Sequence, residues 1–227
     1  MLRKLIWMNF VLSLFMGGLL LAVQIVDPPI YEERFTLHSI VQSIASWERK
    51  GYTNKAAKGI VGERVAKKEI ENGKILRGYT LKSIQSVFEG KGCSVSFKHS
   101  GDKGIDNVFV VQSDDGWIDQ RFNPIFHESK FNGTCRVQLS QTETISEQLS
   151  FNWLKANLEQ AKIKTSRMCI TFPHGNGMTL ETCSTCKTKF QAQIGWLESK
   201  LRDGQFYRTV SVLCPTGEFK IFQVAED

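Results

Sequence analysis

The sequence predicts an α/β domain, a mixed sheet flanked by helices, preceded by one N-terminal apolar helix. Three observations lead there. An uncharged run from Leu5 to Val26 covers 22 residues, about 33 Å as a helix, enough for a hydrocarbon core of about 30 Å. Behind it, apolar residues recur first at helical and then at alternating spacing, in the order helix, strands, helix, strands, which suits a layered domain. The chain has 227 residues, 41% hydrophobic and 23% charged, which fits one globular domain with an appendage. That balance excludes a disordered chain, a collagen-like repeat and a multi-span membrane protein.

The elements follow in order. Arg3 and Lys4 precede the apolar run, and Asp27, Pro28 and Pro29 close it. A basic start suits both a signal peptide and a single transmembrane anchor. The length, and a leucine (Leu20) at the minus-three position of a cut after Ala22, favour the anchor over cleavage. Either way the early positive charges stay cytoplasmic, so the body is expected to be exported: membrane-anchored, or secreted or periplasmic after cleavage. Residues 1–27 form this segment. Residues 28–54 read as a linker helix, with Ile40, Val41, Ile44 and Trp47 at helical spacing. The main domain spans 55–227. It opens with a helix over 55–71, in which Ala57, Val61 and Val65 recur every four residues and Asn72-Gly73 supplies the stop. Cys93 to Phe97 alternates as a strand or extended loop. Ile105 to Gln112 and Pro124 to Phe131 read as strands, separated by the turn Ser113-Asp114-Asp115-Gly116. Thr144 with Glu147 forms a capping box for a helix running to about Lys162, with Leu149, Trp153, Leu154, Leu158 and Ala161 as its apolar stripe. Tyr207 to Leu213 and Phe219 to Val224 make a hairpin around Pro215-Thr216-Gly217.

Six cysteines lie in the body: Cys93, Cys135, Cys169, Cys183, Cys186 and Cys214. An oxidising compartment permits disulfides, with the pairing open. Cys183 and Cys186 form a lone Cys-x-x-Cys. Cys169, His174 and Cys214 are the other candidates for a zinc site, at a spacing that is not diagnostic. A net charge of +6 permits nucleic acid or an anionic surface as partner and decides neither.

The informative chemistry lies between Asp106 and Lys130. Glu128 and Lys130 are two apart in a strand, so both leave the same face. Ile125, Phe126 and Phe131 around them mark that strand as buried. If it pairs with the strand that Asp106 opens, the two carboxylates converge at one end of the sheet. They then offer hard oxygen ligands to Mg2+ or Mn2+, and Lys130 is placed to orient water or stabilise developing charge. The plainer alternative is a solvent-facing Glu128–Lys130 ion pair. His127 faces the other side and reads as packing; His99 and His174 read as structural.

Four segments, in this order, resemble one known family: GERVAKKEI at 62–70, KGIDNVFV at 103–110, IFHESKF at 125–131 and EQLSFNWL at 147–154. The family is the PD-(D/E)xK, or restriction-endonuclease-like, nucleases, and within it the bacterial toxin-type domains. The resemblance covers roughly residues 55–162. It implies a restriction-endonuclease-like fold and a metal-dependent endonuclease, acting on DNA ahead of RNA, as a toxin or defence enzyme. Asp106 and Glu128 would be the metal ligands and Lys130 the catalytic lysine. Glu63 would be the first-helix glutamate and Gln148 the bracing glutamine. Lys98, Lys103 and Arg121 would contact phosphates near the site, making binding salt-dependent. Ile105 replaces the motif's proline. Glu63 has an alternative as the i+4 partner of Lys67, Gln148 one as a helix-surface amide, and Trp153 reads as core. Partners implied are nucleic acid, a membrane through residues 5–26, and an immunity protein. The rival reading is a membrane-tethered, catalytically inactive nuclease-fold binding module.

Overall fold

The computed structural model describes residues 23–76, 78–98, 104–137, 139, 141–142, 146–166 and 180–225. The expected N-terminal apolar helix lies outside them, apart from its last residues. Among the described residues no helix is long and apolar enough to cross a membrane.

A six-stranded mixed sheet carries the fold. Its elements are β1 (Ile25–Arg34), β2 (Leu81–Ser83), β3 (Asn107–Val111), β4 (Ile125–Phe131), β7 (Tyr207–Leu213) and β8 (Glu218–Val224). They lie in the order β1-β8-β7-β4-β3-β2, and β5 (Gln141–Thr142) with β6 (Ser146–Glu147) makes a separate pair. The helices are α1 (Leu37–Glu48), α2 (Asn54–Glu71), α3 (Ile84–Glu89), α4 (Phe151–Ser166) and α5 (Leu180–Arg202). The β4–β7 pair is parallel and the other neighbours in the large sheet are antiparallel. A parallel pair needs a long crossover, and α4 and α5 supply it.

Strand alternation sorts the core onto two faces. Val108, Val110, Phe126, Val210 and Val212 pack with Leu154, Leu158, Phe190 and Ile194 of α4 and α5. Phe109, Val111, Ile125, Leu213, Phe219 and Ile221 pack on the other face with Ile40 and Ile44 of α1 and Ala57, Val61 and Ile70 of α2. Phe219 is fully buried, and burying such a ring contributes about 1.5–3 kcal/mol. Gly217 holds the β7–β8 turn at φ +91, a region that favours glycine. Its carbonyl accepts from Phe35 N at 2.9 Å, and a Cβ there would overlap Phe35 O.

Several expectations change. Within 28–54 the helix is present as α1, but residues 25–34 ahead of it form β1. Tyr31 to Arg34 pair with β8 opposite Ile221 to Glu218, so this stretch is an edge strand of the sheet and not only a linker. Pro28 and Pro29 fall where the β1 register shifts, between Val26 and Tyr31, as expected of residues without a ladder donor. The capping box at Thr144 is replaced. Ser146–Glu147 are extended against Gln141–Thr142, and Leu149 takes φ +66, which no helix interior admits. The helix starts after Ser150, whose hydroxyl accepts from Trp153 N at 3.3 Å and whose carbonyl accepts from Leu154 N at 2.9 Å. Glu147 instead accepts from Val23 N at 3.0 Å.

The described cysteines are disulfide-bonded. Cys93 pairs with Cys186 and Cys135 with Cys214, and Cys183 is in a disulfide as well. The zinc reading of Cys183 and Cys186 therefore gives way to cross-linking. Both sit one turn apart on α5, a helix the Cys-x-x-Cys spacing obscured. His99, Cys169 and His174 lie outside the described residues.

Candidate active site

The site forms where β3 begins beside β4. Asn107 pairs with His127 and Phe109 with Ile125, a register that sets Asp106 opposite Glu128. Asp106 Oδ2 accepts from the Ser129 amide at 2.8 Å, tying the carboxylate to the residue between Glu128 and Lys130. Glu128 and Lys130 leave the α4/α5 face, as their spacing requires. Lys130 Nζ donates to Glu128 Oε1 at 2.9 Å and to Gln148 Oε1 at 2.5 Å. Gln148 Nε2 donates to the same Glu128 Oε1 at 2.8 Å. Gln148 reaches in from the turn before α4, so it braces the site without being a helix-surface residue. The exposed ion-pair alternative fails: Glu128 is 4% exposed.

Glu63 on α2 joins through a lysine. Lys98 Nζ lies 2.5 Å from Glu63 Oε1 and 3.2 Å from Asp106 Oδ1. Lys67, the alternative partner of Glu63, approaches Glu89 at 4.0 Å. Helix α2 comes this close because Gly62 packs on the β4 backbone, where a Cβ would lie 3.7 Å from Lys130 O and from Phe131 Cβ. Lys98 is fixed by an isolated bridge to Gly104. Gly104 has φ +131, and a Cβ there would stand 2.5 Å from Phe97 O, so only glycine lets the two backbones approach. A cleft of about 260 Å³ opens here, lined by Glu63, Arg64, Lys67, Gln85, Lys98 and Asp106. A larger hollow of about 810 Å³ between α1 and α2, with Trp47 and His38, contains none of the three motif residues.

The electrostatics are uneven. Burial, and then the Asp106 charge, push the Glu128 carboxyl from 4.5 up to about 8, against the lowering influence of Lys130 and Lys98. Its Oε2 is buried and has no hydrogen-bond partner, while Oε1 receives two donors. Desolvation lowers the Lys98 ammonium, but Asp106 and Glu63 outweigh it and hold its pKa above the ordinary lysine value. His127 is on the opposite face, fully buried, with Nδ1 2.8 Å from Thr209 Oγ1 and Nε2 3.0 Å from Ser211 Oγ. Burial lowers its pKa to about 3. It is a neutral packing residue, as its strand position predicts.

Of the residues expected at the site, Asp106, Glu128, Lys130, Gln148, Glu63 and Lys98 come together. Lys103 lies outside the described residues. Arg121 is not beside the site. It belongs to the loop joining Val111 to Ile125, at the far end of the β3–β4 hairpin from Asp106, and pairs there with Asp119. The sequence reading missed Arg64 and Lys67 as cleft residues. Their positions one and four after Glu63 on α2 were the available signal. Among the described residues no group of three or more His, Cys, Asp or Glu side chains is placed to hold a metal ion. One feature still suits a divalent cation: the buried Glu128 Oε2, which has no hydrogen-bond partner. No family model, curated protein or solved structure matches the chain.

Proposed function

We propose that the chain is a divalent-cation-dependent endonuclease with a restriction-endonuclease-like fold, acting on DNA ahead of RNA. The observation that carries this reading is the group of Asp106, Glu128 and Lys130 on adjacent strands, joined by Gln148 from the turn before α4, with Glu128 buried and its Oε2 turned to no protein donor. Asp106 and Glu128 would hold Mg2+ or Mn2+. When bound, such an ion polarises a phosphoryl oxygen and makes coordinated water more acidic. Lys130 positions an ammonium beside Glu128 for the charge that develops at phosphorus. Gln148 fixes that lysine by accepting from it while donating to Glu128. Arg64, Lys67 and Lys98 line the cleft alongside Glu63, Glu89 and Asp106, and would be the groups to meet a phosphate backbone. A toxin or defence role, an immunity partner and anchoring through residues 5–26 belong to the same proposal.

A second reading rests on one specific observation: the Lys98 ammonium already bridges Glu63 and Asp106. A nuclease-like fold closed by ion pairs would suit a membrane-tethered binding module without activity. The full chain in detergent micelles separates the two. Plasmid DNA and structured RNA are incubated with it in Mg2+ or Mn2+. Wild type is expected to cleave, and Asp106→Ala and Lys130→Ala to lose at least a hundredfold in rate. If wild type leaves both substrates as intact as the two variants do, the enzyme reading is overturned and the binding module stands.

A further inference from the structure

We propose that Lys98 is a built-in competitor for the divalent cation, its ammonium occupying the Asp106–Glu63 half of the site until an ion displaces it. This rests on the cation reading above and goes beyond it, because it assigns the metal-free state of the site to one named side chain.

The two halves of the site differ. On the Glu128 side Oε2 is buried and has no hydrogen-bond partner, so a cation would displace no side chain there. On the Asp106 side both oxygens are engaged: Oδ2 by the Ser129 amide at 2.8 Å and Oδ1 by Lys98 at 3.2 Å. The amide is part of the β4 backbone and cannot move away without breaking the sheet. The Lys98 ammonium is the mobile group. A magnesium ion binds carboxylate oxygen at about 2.0–2.1 Å, which would bring it against an ammonium already on the same oxygen.

The lysine is built to swing and not to withdraw. Its backbone is pinned by the bridge to Gly104, by Ser96 Oγ accepting from Lys98 N at 3.1 Å, and by Lys164 Nζ donating to Lys98 O at 2.6 Å. Its flexible four-carbon stem ends in the cleft that Arg64 and Lys67 also line. An ammonium released from Asp106 therefore stays in that cleft, in reach of a phosphate. Cation loading and phosphate contact then use one lysine in alternate positions.

The test is Mn2+ binding to the full chain in detergent micelles, measured by calorimetry in the absence of nucleic acid. Lys98→Met removes the competitor. Lys67→Met removes an equal charge from the same cleft without touching Asp106, and Lys98→Arg keeps a cation at the position. Thermal melts establish that each variant is folded. Lys98→Met is expected to bind Mn2+ at least tenfold tighter than wild type, Lys67→Met to stay within about twofold, and Lys98→Arg to gain nothing. Equal or weaker binding by Lys98→Met overturns the inference while leaving the cation site standing. An equal gain by Lys67→Met also overturns it, since the effect would then be general charge. Failure of every variant and of wild type to bind Mn2+ overturns the cation reading itself.

Discussion

Glu128 gives the sharpest quantitative prediction, Glu128→Gln measured against pH. The carboxyl is buried, and its folded pKa is about 8 against an ordinary 4.5. Between those values the folded state keeps a proton that the unfolded state has lost. Stability from this group is therefore fully present below about pH 4.5 and declines as pH rises towards 8. Each pH unit in that window costs about 1.4 kcal/mol, so from about pH 5 to pH 7 wild type loses about 3 kcal/mol relative to Glu128→Gln, which cannot ionise. For a chain of this size that is a shift of roughly 6–12 °C in melting temperature. The comparison has to be a difference between the two proteins because His127 works the other way. Its folded pKa of about 3 lies below the ordinary 6.5, so its contribution is present above about pH 6.5 and is lost as pH falls. The two slopes oppose one another between about pH 4.5 and 6.5, and wild type alone would look nearly flat there. The assay is thermal or urea unfolding of both proteins in metal-free buffer across that range. Parallel curves would refute the reasoning, because Glu128 would then ionise in the fold as it does in water.

Two further outcomes concern the frame. The Cys93–Cys186 and Cys135–Cys214 bridges span 93 and 79 residues, so on chain-entropy grounds each contributes about 4–5 kcal/mol; Cys93→Ser with Cys186→Ser should lose that much in urea, and a loss below about 1 kcal/mol would mean the helix α5 docks without it. Gly217→Ala places a Cβ on Phe35 O at positive φ and should cost about 1–3 kcal/mol, read as an earlier urea midpoint with β1 exchanging faster; an unchanged midpoint would show that the β1–β8 junction is loose.

Legibility in the sequence followed how local each signal was. The strands at 107–111 and 125–131 were readable because alternation and a short turn are local, and their pairing then followed from proximity. The Asp106–Glu128–Lys130 arrangement needed only that pairing. Helix α1 was readable from Ile40, Ile44 and Trp47, but β1 was not, since Asp27, Pro28 and Pro29 look like a breaker until β8, nearly 200 residues away, offers a partner. The start of α4 was misread because Thr144 and Glu147 match a capping box, while the deciding facts are a left-handed Leu149 and a backbone pairing to Gln141–Thr142. In α5, Phe190, Ile194, Leu197 and Leu201 make a legible buried stripe, which the nearby cysteines drew attention away from. The bridging role of Lys98 had no sequence signature, because it depends on Glu63, 35 residues away on α2.

The charges of the candidate site connect its oddities to one cause. Glu63, Asp106 and Glu128 are three carboxylates facing the two ammoniums of Lys98 and Lys130. Counted over these five side chains, full ionisation would leave one negative charge, and the part of it carried by the buried Glu128 would be costly. Burial first, and then the Asp106 charge, push the Glu128 carboxyl up to about 8, so a proton held there would cancel that charge. A doubly positive ion with Lys98 turned out into the cleft gives the other neutral arrangement: three carboxylates against Lys130 and the ion. Proton plus Lys98 on one side, and divalent cation on the other, are thus interchangeable in charge. A site meant only as a structural ion-pair network could reach neutrality by replacing Glu128 with glutamine, keeping the bond from Lys130 without the buried acid. A carboxyl that burial holds well above its ordinary pKa makes physical sense where another positive charge enters.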